Sequence, residues 1–459
     1  MNDKKGFKYK INNFFHISER GASYRGEFLG GLVNFLVLCY TVILIPNLLS
    51  QGAGESLRGG LLIATIISIV VSTIAMALYG NLPLVLAPGI GIVSYMLSLI
   101  QGGKYTYNQV LPIALIAGVM FLIITLTGLR DKIIKSVPKI VADSLPIGVG
   151  LFIASIGLNS SNSGILDFLS GNFDTAVLIS AGVALFGFVV ICILHNYKIK
   201  GAIFYGIISA TLLDIIIKLC MGNNPFAVLN GSWLPDFAGF AEVAFNLDFA
   251  GAFTSGGGNV VLSVFSTILI IFSFFLVDLF DTYGTLLGAC KRGNLFDANG
   301  NMLNGRRAMI VDSSASCFSA MIGVPACTIY VESTTGITSG AKTGLSSLIT
   351  SILFALTLFV SPLINLIPIY ATAPALVFVG VLMFGDIVKL DLSSFTNIVT
   401  AMVTIILMPL TGNITYGIAG GLIIYTILQL FAGKAKEINV FTYVISILFV
   451  VYFATQGLV

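Results

Sequence analysis

The sequence IGVPACTIYVESTTGITSGAKTG, residues 322–344, places one carboxylate and eight hydroxyl side chains between two long apolar segments. Pro325 and the β-branched residues near it predict an extended segment over 323–330, and the residues from 331 onward predict a helix. Such a broken helix is tolerated at membrane depth only where it is buried in protein or lines a cavity, because every backbone polar group there needs a partner. Glu332 then lies at the start of a half-helix, where backbone N–H groups are free to meet a ligand. We therefore expect the binding site of the protein at this stretch.

Composition predicts an all-α protein that crosses a membrane many times. Of its 459 residues, 57% are hydrophobic and 9% are charged, and the mean hydropathy is +1.00. The apolar runs are about 20 residues long, which matches helices that cross a hydrocarbon core of about 30 Å rather than the strands of a barrel. The six cysteines show no CxxC spacing, so we expect no disulfide, no metal site and no cofactor.

Apolar runs separated by breakers predict fourteen membrane spans. They cover residues 27–48, 59–79, 84–101, 108–128, 141–158, 174–195, 201–220, 259–290, 307–322, 325–340, 343–361, 371–388, 393–411 and 413–432. A further apolar run covers 439–457, and its role stays open.

The basic residues orient these spans. With the N-terminus inside, alternating spans place every Lys and Arg on the inner side except Arg58, Lys104 and Lys218, which is the pattern of the positive-inside rule. The basic N-terminal residues lack the apolar core and cleavage site of a signal peptide, so they predict a cytoplasmic tail that stays attached. We expect a multi-pass protein of the cytoplasmic membrane of a prokaryotic cell.

The spans divide into two sets of seven that enter from opposite sides, which predicts an inverted repeat. The longest polar connection follows the seventh span, and the third and tenth spans both contain a proline-bearing stretch of β-formers followed by a helix start. Pro88 and Pro325 mark these two breaks, so the broken helices are expected to meet. The predicted organisation is a tail at 1–26, a first repeat at 27–220, an extracellular loop at 221–258, a second repeat at 259–432 and a C-terminal apolar segment at 433–459.

Two aspartates within the eighth span are candidate functional groups, because an ionisable side chain in hydrocarbon is costly. Asp278, Asp281 and Thr285 are spaced i, i+3, i+7 in FSFFLVDLFDTYGTLLG, so they share a helical face that must point away from lipid. Gly284 and Gly288 flank that face and predict the close approach of another backbone. Other acids lie near span ends, where caps or salt bridges are expected: Glu27, Asp143, Asp214, Asp312, Asp386 and Asp391.

The predicted site combines these carboxylates with hydroxyls and backbone N–H groups. The tenth span contributes Thr328, Ser333 and Thr334 beside Glu332, and the third span contributes the backbone around Gly89, Ile90 and Gly91. No Lys or Arg lies within these spans. Donors, acceptors and carboxylates without a basic group suit a small, neutral, hydrogen-bonding solute and oppose an anion.

Long segments of the chain resemble the AzgA-like adenine/guanine/hypoxanthine permeases of the nucleobase-ascorbate transporter superfamily. They occur in family order from about residue 25 to 432, and they are NLPLVLAPGIG, LTGLRDKIIKSVPK, IGVGLFIASIGLNSS, FFLVDLFDTYGTLLG, GVPACTIYVESTTGITSGAKTG, IPIYATAPALVFVGVLM and ILMPLTGNITYGIAGG. The resemblance implies a core domain of spans 1–4 and 8–11 and a gate domain of spans 5–7 and 12–14. It also implies a proton-coupled purine importer that works by alternating access, with the substrate between the two domains.

The resemblance places the family's acidic positions on Asp278, Asp281 and Glu332. Since burial favours neutral carboxyl groups and two close carboxylates cannot both ionise cheaply, we expect Asp281 and Glu332 to titrate together and retain a proton. The expected partners are a nucleobase, a proton and membrane lipid, with no nucleic acid, and a homodimer is left open.

The chain departs from the family pattern at several positions. Val93 replaces an expected Asn, Ala117 occupies the position of a Glu in the fourth span, and Gly412 and Asn413 replace a Tyr-Ser pair. The particular base, whether hypoxanthine, guanine, adenine or a related heterocycle, therefore stays open.

Two other functions compete with nucleobase transport as interpretations of the sequence. The spacing Asp278-x-x-Asp281 resembles pairs that hold Mg²⁺ in membrane enzymes of pyrophosphate chemistry, but such an enzyme needs basic partners in the spans. An anion carrier of the same inverted-repeat architecture is the other alternative, and the Glu332 carboxylate opposes an anionic ligand. No GxxxxGK[ST] motif occurs, which argues against ATP-driven transport.

Overall fold

A computed structural model describes residues 7–159, 163–226, 235–255, 260–296, 302–364 and 366–456. The elements of the first half are α1 (Phe7–Phe15), α2 (Tyr24–Leu38), α3 (Tyr40–Ala53), α4 (Arg58–Ala75), β1 (Leu86–Pro88), α5 (Ile90–Gln101), α6 (Tyr107–Thr127), α7 (Arg130–Ser136), α8 (Lys139–Leu158), α9 (Ile165–Leu169), α10 (Thr175–Asn196) and α11 (Ala202–Cys220).

The second half repeats this pattern of long helices around one short strand. Its elements are α12 (Phe237–Val243), α13 (Phe249–Thr254), α14 (Val260–Gly293), α15 (Gly305–Met321), β2 (Cys327–Ile329), α16 (Ser333–Thr338), α17 (Gly344–Leu356), α18 (Ser361–Ile364), α19 (Ile369–Phe384), α20 (Phe395–Thr411), α21 (Ile414–Phe431) and α22 (Val440–Gln456).

The helices are long and apolar enough for a membrane protein. Within the described residues, nine continuous helical segments could cross a membrane by length and composition, and shorter apolar helices correspond to the third, eleventh and thirteenth predicted spans and to the last apolar run. The ninth predicted span corresponds to α15. The third and tenth spans each consist of a strand followed by a helix, β1 with α5 and β2 with α16, which confirms the predicted breaks. The last apolar run forms α22, which packs against α21 and α14.

The two strands pair with each other in antiparallel register, with Leu86 opposite Ile329 and Pro88 opposite Cys327. The pairing is extended by two bonds, in which Gly89 N–H donates to the Ala326 carbonyl and Tyr330 N–H donates to the Val85 carbonyl, each at 3.1 Å. Each broken helix thus supplies hydrogen-bond partners for the extended backbone of the other. Non-helical backbone inside a membrane needs such partners within the protein.

Helices pack around the strand pair in two groups. Helices α2–α6 pack with α14–α17, and α8, α10, α11, α19, α20 and α21 pack with one another. The second group has a close backbone approach at Gly150 of α8 and Gly380 of α19, where a Cβ on Gly380 would lie 2.5 Å from the Gly150 carbonyl oxygen. Glycines permit such contacts between membrane helices.

The predicted close approach at Gly284 and Gly288 is wrong. Neither position has another group within 4 Å of an added Cβ, so this face of α14 borders open space. The two glycines follow Asp281 at i+3 and i+7, which places open space along the face that carries this carboxylate.

Most of the acids near span ends are caps or salt bridges, as predicted. The Glu27 carboxylate accepts hydrogen bonds from three backbone N–H groups at the start of α17, and Asp214 pairs with Lys218 at 2.9 Å. Asp386 pairs with Lys389, and Asp391 accepts from the Ser393 N–H. For Asp143 the expected cap or salt bridge stays a prediction.

The prediction is wrong for Asp312. Its side chain is completely buried between α15 and α14, and it accepts a hydrogen bond from Thr282 rather than pairing with a basic residue.

Candidate functional site

Four carboxyl groups surround the second strand at different depths. Asp281 on α14 and Glu332 at the start of α16 are partly exposed, whereas Asp278 on α14 and Asp312 on α15 are buried. Strand β2 lies beside both α14 and α15 because its backbone pairs with β1 at the centre of the first helix group. The site therefore has two accessible carboxyl groups, with two more enclosed behind them.

Glu332 is held by a tyrosine from the first span. Its Oε1 atom accepts a hydrogen bond from the Tyr40 hydroxyl at 3.1 Å, and Tyr40 is completely buried at the start of α3. The neighbouring Tyr330 hydroxyl donates to the Pro88 carbonyl at 2.6 Å, so the segment before Glu332 is tied to β1. Glu332 thus has a fixed position and still keeps an accessible carboxyl group.

Asp281 is connected to the interior through threonines. The Thr328 hydroxyl of β2 donates to Asp281 Oδ2 at 3.3 Å and lies 3.2 Å from the Thr282 hydroxyl. Thr282 in turn donates to Asp312 Oδ2 at 2.8 Å. A hydroxyl has one hydrogen, so this series can pass a proton from a protonated Asp281 to Asp312 when Thr328 accepts from Asp281 and donates to Thr282.

Asp278 lies on α14 and Asp312 on α15, and each accepts a hydrogen bond from a hydroxyl of the other helix. Ser316 of α15 donates to Asp278 Oδ2 at 3.0 Å, while Thr282 of α14 donates to Asp312 Oδ2. The Oδ1 atom of each aspartate is buried without a hydrogen-bond partner, and the two groups interact electrostatically. Among the described residues, no Lys, Arg or His forms a salt bridge with either aspartate. Two buried carboxylates without a cation are costly, so the pair is suited to hold a proton.

Asp278 and Asp281 therefore have different surroundings, although the sequence places them on one helical face. Asp278 points with Thr282 toward α15, and Asp281 lies on the side of Gly284 and Gly288 that borders open space. Thr285, one turn after Asp281, is nearly buried, with 9% of its surface exposed.

The hydroxyls of α16 make structural contacts. The Ser333 hydroxyl is buried and accepts from the Val85 N–H at 3.0 Å, which supports the segment that leads into β1. The Thr334 hydroxyl accepts from Arg292 Nη1 at 3.1 Å. Arg292 lies in the last turn of α14, so a basic side chain reaches the half-helix from the end of a span.

The start of α5 lies opposite β2, as predicted. A Cβ on Gly89 would lie 2.7 Å from the Thr328 methyl group, so this glycine allows β2 to approach. Ile90 is nearly buried, and Gly91 lies against Val149 of α8, which belongs to the second helix group. The first turn of α5 thus lies at the boundary between the two groups.

The sequence did not identify four residues of the site, Tyr40, Thr282, Asp312 and Ser316. Tyr40 gave no signal, because one tyrosine in an apolar span fits a lipid-facing or core position equally well. Asp312 and Ser316 are spaced i, i+4, as are Asp278 and Thr282, and these matching acid-hydroxyl pairs were a signal that could have found the buried pair.

The chain matches known permeases over nearly all of its length. The family model Xan_ur_permease, described as a permease family, matches residues 25–452. The chain is 33% identical to the adenine permease AdeQ of Escherichia coli, over 96% of this chain and 95% of that protein. It is also 33% identical to the guanine/hypoxanthine permease PbuO of Bacillus subtilis, over 95% of this chain and 98% of that protein.

A solved structure is similar in fold to this chain. The transmembrane domain of the cyanobacterial bicarbonate transporter BicA matches with a TM-score of 0.61 and 16% identity, over 85% of this chain and 97% of that chain. At this identity the likeness concerns the fold alone, and it confirms the predicted inverted-repeat architecture with its two broken helices.

Proposed function

This chain belongs to the permease family, and from that premise we propose that it is a proton-coupled symporter that imports purine nucleobases such as hypoxanthine, guanine or adenine across the cytoplasmic membrane. The observation that carries the proposal is the connection of the accessible Asp281 through Thr328 and Thr282 to the buried Asp312. Such a connection links a ligand-accessible carboxyl group to a buried carboxyl group that can hold a proton. As a member of a permease family the protein is not an enzyme, which removes the magnesium-enzyme alternative.

The substrate site lies between Asp281, Glu332 and the open face of α14. A purine presents N–H donors and ring acceptors in one plane, and carboxylates are good acceptors for such N–H groups. The open space beside Gly284 and Gly288 provides room next to Asp281. Helix α5 begins at Ile90, and the N–H of Gly89 is already bonded to the Ala326 carbonyl, so the N–H groups of the first turn, such as that of Gly91, are the donors for the ring acceptors. Thr285, Ser333 and Thr334 remain candidate site residues, the last two acting through the position of the half-helix.

Proton coupling follows from the shared environment of the acids. Substrate N–H groups that bind Asp281 or Glu332 favour the ionised form of that carboxyl group. Its negative charge then makes ionisation of the nearby Asp278–Asp312 pair more costly, so the pair holds its proton more firmly. Substrate binding and proton binding are thereby linked, and linkage of this kind is reciprocal. Inward movement of the purine then carries a proton.

Alternating access requires the two helix groups to move against each other, which corresponds to a core domain of spans 1–4 and 8–11 and a gate domain of spans 5–7 and 12–14. Three polar contacts join residues of the two domains. Arg58 donates to the Ile367 carbonyl at 2.9 Å, the Tyr95 hydroxyl bonds that of Thr415, and Lys200 donates to Ser339 at 2.6 Å. Movement of one domain against the other must break contacts of this kind.

Uptake in proteoliposomes tests this proposal. An inward proton gradient without sodium should concentrate a labelled purine, and a protonophore should abolish the accumulation. The Asp281→Asn variant should bind or exchange substrate but fail to concentrate it, whereas Asp386→Asn, at a surface ion pair, should behave like the parent protein. Accumulation driven by sodium alone and unaffected by the proton gradient would contradict the proposal.

The anion-carrier alternative rests on the fold shared with a bicarbonate transporter. The carboxylates of Asp281 and Glu332 disfavour it, because they would repel an anion. Competition with the labelled purine separates the two functions: unlabelled purines should compete, and bicarbonate and sulfate at millimolar concentration should not.

A further inference from the structure

A cavity lies away from the proposed transport site, on the face that carries α1. It has a volume of about 440 Å³ and forms where the segment after α1, the end of α4 and the segment before α15 meet. Its lining combines polar and basic side chains with two apolar ones, and consists of Asn13, Phe14, His16, Arg20, Leu78, Asn81, Asn304 and Arg307.

Hydrogen bonds between the three segments fix the cavity walls. Arg20 donates to the Asn81 carbonyl at 2.5 Å, and the Asn81 side chain donates to the Phe15 carbonyl at 3.3 Å. Asn304 donates to the Gly80 carbonyl at 3.0 Å. The cavity is therefore a built feature of the fold rather than a gap between independent loops.

The charge at the cavity is positive. Arg20 and Arg307 both line it, and Arg307 lies over the ring of Tyr79 with its guanidinium carbon 5.7 Å from the ring centre. Two acids lie nearby: Glu19 pairs at 2.8 Å with His16, which also lines the cavity, and Glu27, which accepts backbone N–H groups of α17, attracts Arg20. Among the described residues no acid forms a salt bridge with Arg307, so Arg307 is the main basic group of the cavity. A guanidinium held by an aromatic ring keeps its planar N–H donors available for an oxyanion such as phosphate.

Large apolar side chains border the same cavity and are exposed. Phe14 is 54% exposed, Tyr79 50% and Leu78 48%, and the last two lie at the end of a membrane span. Exposed aromatic and aliphatic groups at a span end contact lipid at the level of the headgroups. A soluble phosphate needs no apolar border, whereas a phospholipid presents its phosphate and its acyl chains together.

We propose that this cavity binds the phosphate-bearing headgroup of an anionic phospholipid in the leaflet on the side of the N-terminus, which is the cytoplasmic leaflet in the proposed orientation. Arg307 and Arg20 contact the phosphate, and Phe14, Leu78 and Tyr79 contact the upper acyl chains. Basic pockets between membrane helices on the cytoplasmic side are suited to such headgroups. The site is separate from the purine site, so its test does not depend on transport.

Arg306 and Arg307 provide a matched pair of variants. Arg306 is also exposed, but it donates to the Leu126 carbonyl and does not line the cavity. Purified full-length parent, Arg307→Gln and Arg306→Gln proteins in a nonionic detergent are titrated with phosphatidylglycerol, phosphatidylcholine or inorganic phosphate. Thermal unfolding and the lipid retained in native mass spectra are measured for each.

Phosphatidylglycerol should raise the unfolding temperature of the parent and the Arg306→Gln protein and stay bound to both. With Arg307→Gln the shift should fall by at least half and retention by about tenfold, while the unfolding temperature without lipid stays near that of the parent. An equal response to phosphatidylcholine, or full retention by Arg307→Gln, would overturn the proposal. A response to inorganic phosphate as large as that to phosphatidylglycerol would assign the cavity to a soluble anion and overturn the lipid assignment.

Discussion

The carboxyl groups of Asp281 and Asp312 are joined by two threonine hydroxyls, those of Thr328 and Thr282, through contacts of 3.3, 3.2 and 2.8 Å. Asp281 is partly exposed and Asp312 is completely buried, so the connection leads from the accessible face of α14 into the protein. It runs through β2, the strand that breaks the tenth span. The helix break thus places a hydroxyl between two carboxyl groups that lie on different helices.

Loss of Thr282 should separate substrate binding from proton coupling. Thr282→Val keeps the size of the side chain but removes the hydroxyl that contacts both Asp312 and Thr328. We expect binding within about threefold of the parent and loss of concentrative uptake. Ser273→Ala on the same helix is the control, since that hydroxyl bonds only the Leu269 carbonyl. Uptake against a gradient by Thr282→Val at the parent rate would show that the connection is not used.

Glu332 and Tyr40 should both contribute to affinity, to different extents. Glu332→Gln removes the charged acceptor and should abolish measurable purine binding in equilibrium binding assays. Tyr40→Phe removes the hydroxyl that orients the carboxylate, so Glu332 loses its fixed position and affinity should fall, though by less than in Glu332→Gln. The size-exclusion profile of each variant checks its folding. Normal affinity in Glu332→Gln would refute its place in the site.

Position 89 should not tolerate even a methyl group, and a second substitution at the contacting residue should restore activity. The Cβ of Gly89→Ala would lie 2.7 Å from the Thr328 methyl group and displace the hydroxyl that bonds Asp281. We expect a strong loss of uptake. Adding Thr328→Ser removes the clashing methyl group, keeps the hydroxyl and should restore much of the activity. The absence of any rescue would mean that Gly89 acts through something other than this contact.

Gly284 offers the opposite test, because nothing lies within 4 Å of its Cβ position. Gly284→Val should leave thermal stability nearly unchanged, yet it should reduce purine affinity if the open space beside Asp281 holds the substrate. Gly182→Val is the control on α10, where the added side chain also meets open space. An unchanged affinity in Gly284→Val would place the substrate elsewhere.

Labelling of single cysteines in a cysteine-free background tests the orientation. Lys104→Cys should react with an impermeant maleimide from outside intact cells, because it belongs to an outer loop in the predicted topology. Lys291→Cys should react only after the membrane is opened. Position 291 is used rather than 292, because Arg292 donates a hydrogen bond to Thr334. Reaction of Lys291→Cys from outside would reverse the assignment of the second repeat.

Hydropathy and the positions of breakers were sufficient to predict the membrane spans, the inverted repeat and the two broken helices. Long apolar runs have few folded states in a membrane, since every backbone group needs an internal partner. Pro88 and Pro325 mark breaks because each stands among residues that favour extended backbone, whereas prolines such as Pro146 and Pro374 lie inside continuous helices. Glu332 could be identified because a carboxylate within such an interruption is costly without a function.

Tertiary structure decided which carboxyl groups act together. Helical spacing places Asp278 and Asp281 on one face, but packing against α15 buries Asp278 with Asp312 and leaves Asp281 beside open space. Asp312 is the sixth residue of the predicted span 307–322, so along the chain it resembles an interfacial acid, although it is the eighth of the 17 residues of α15. Its burial and its contact with Thr282 depend on a helix that is distant in sequence, and local periodicity carries no information about contacts of that kind.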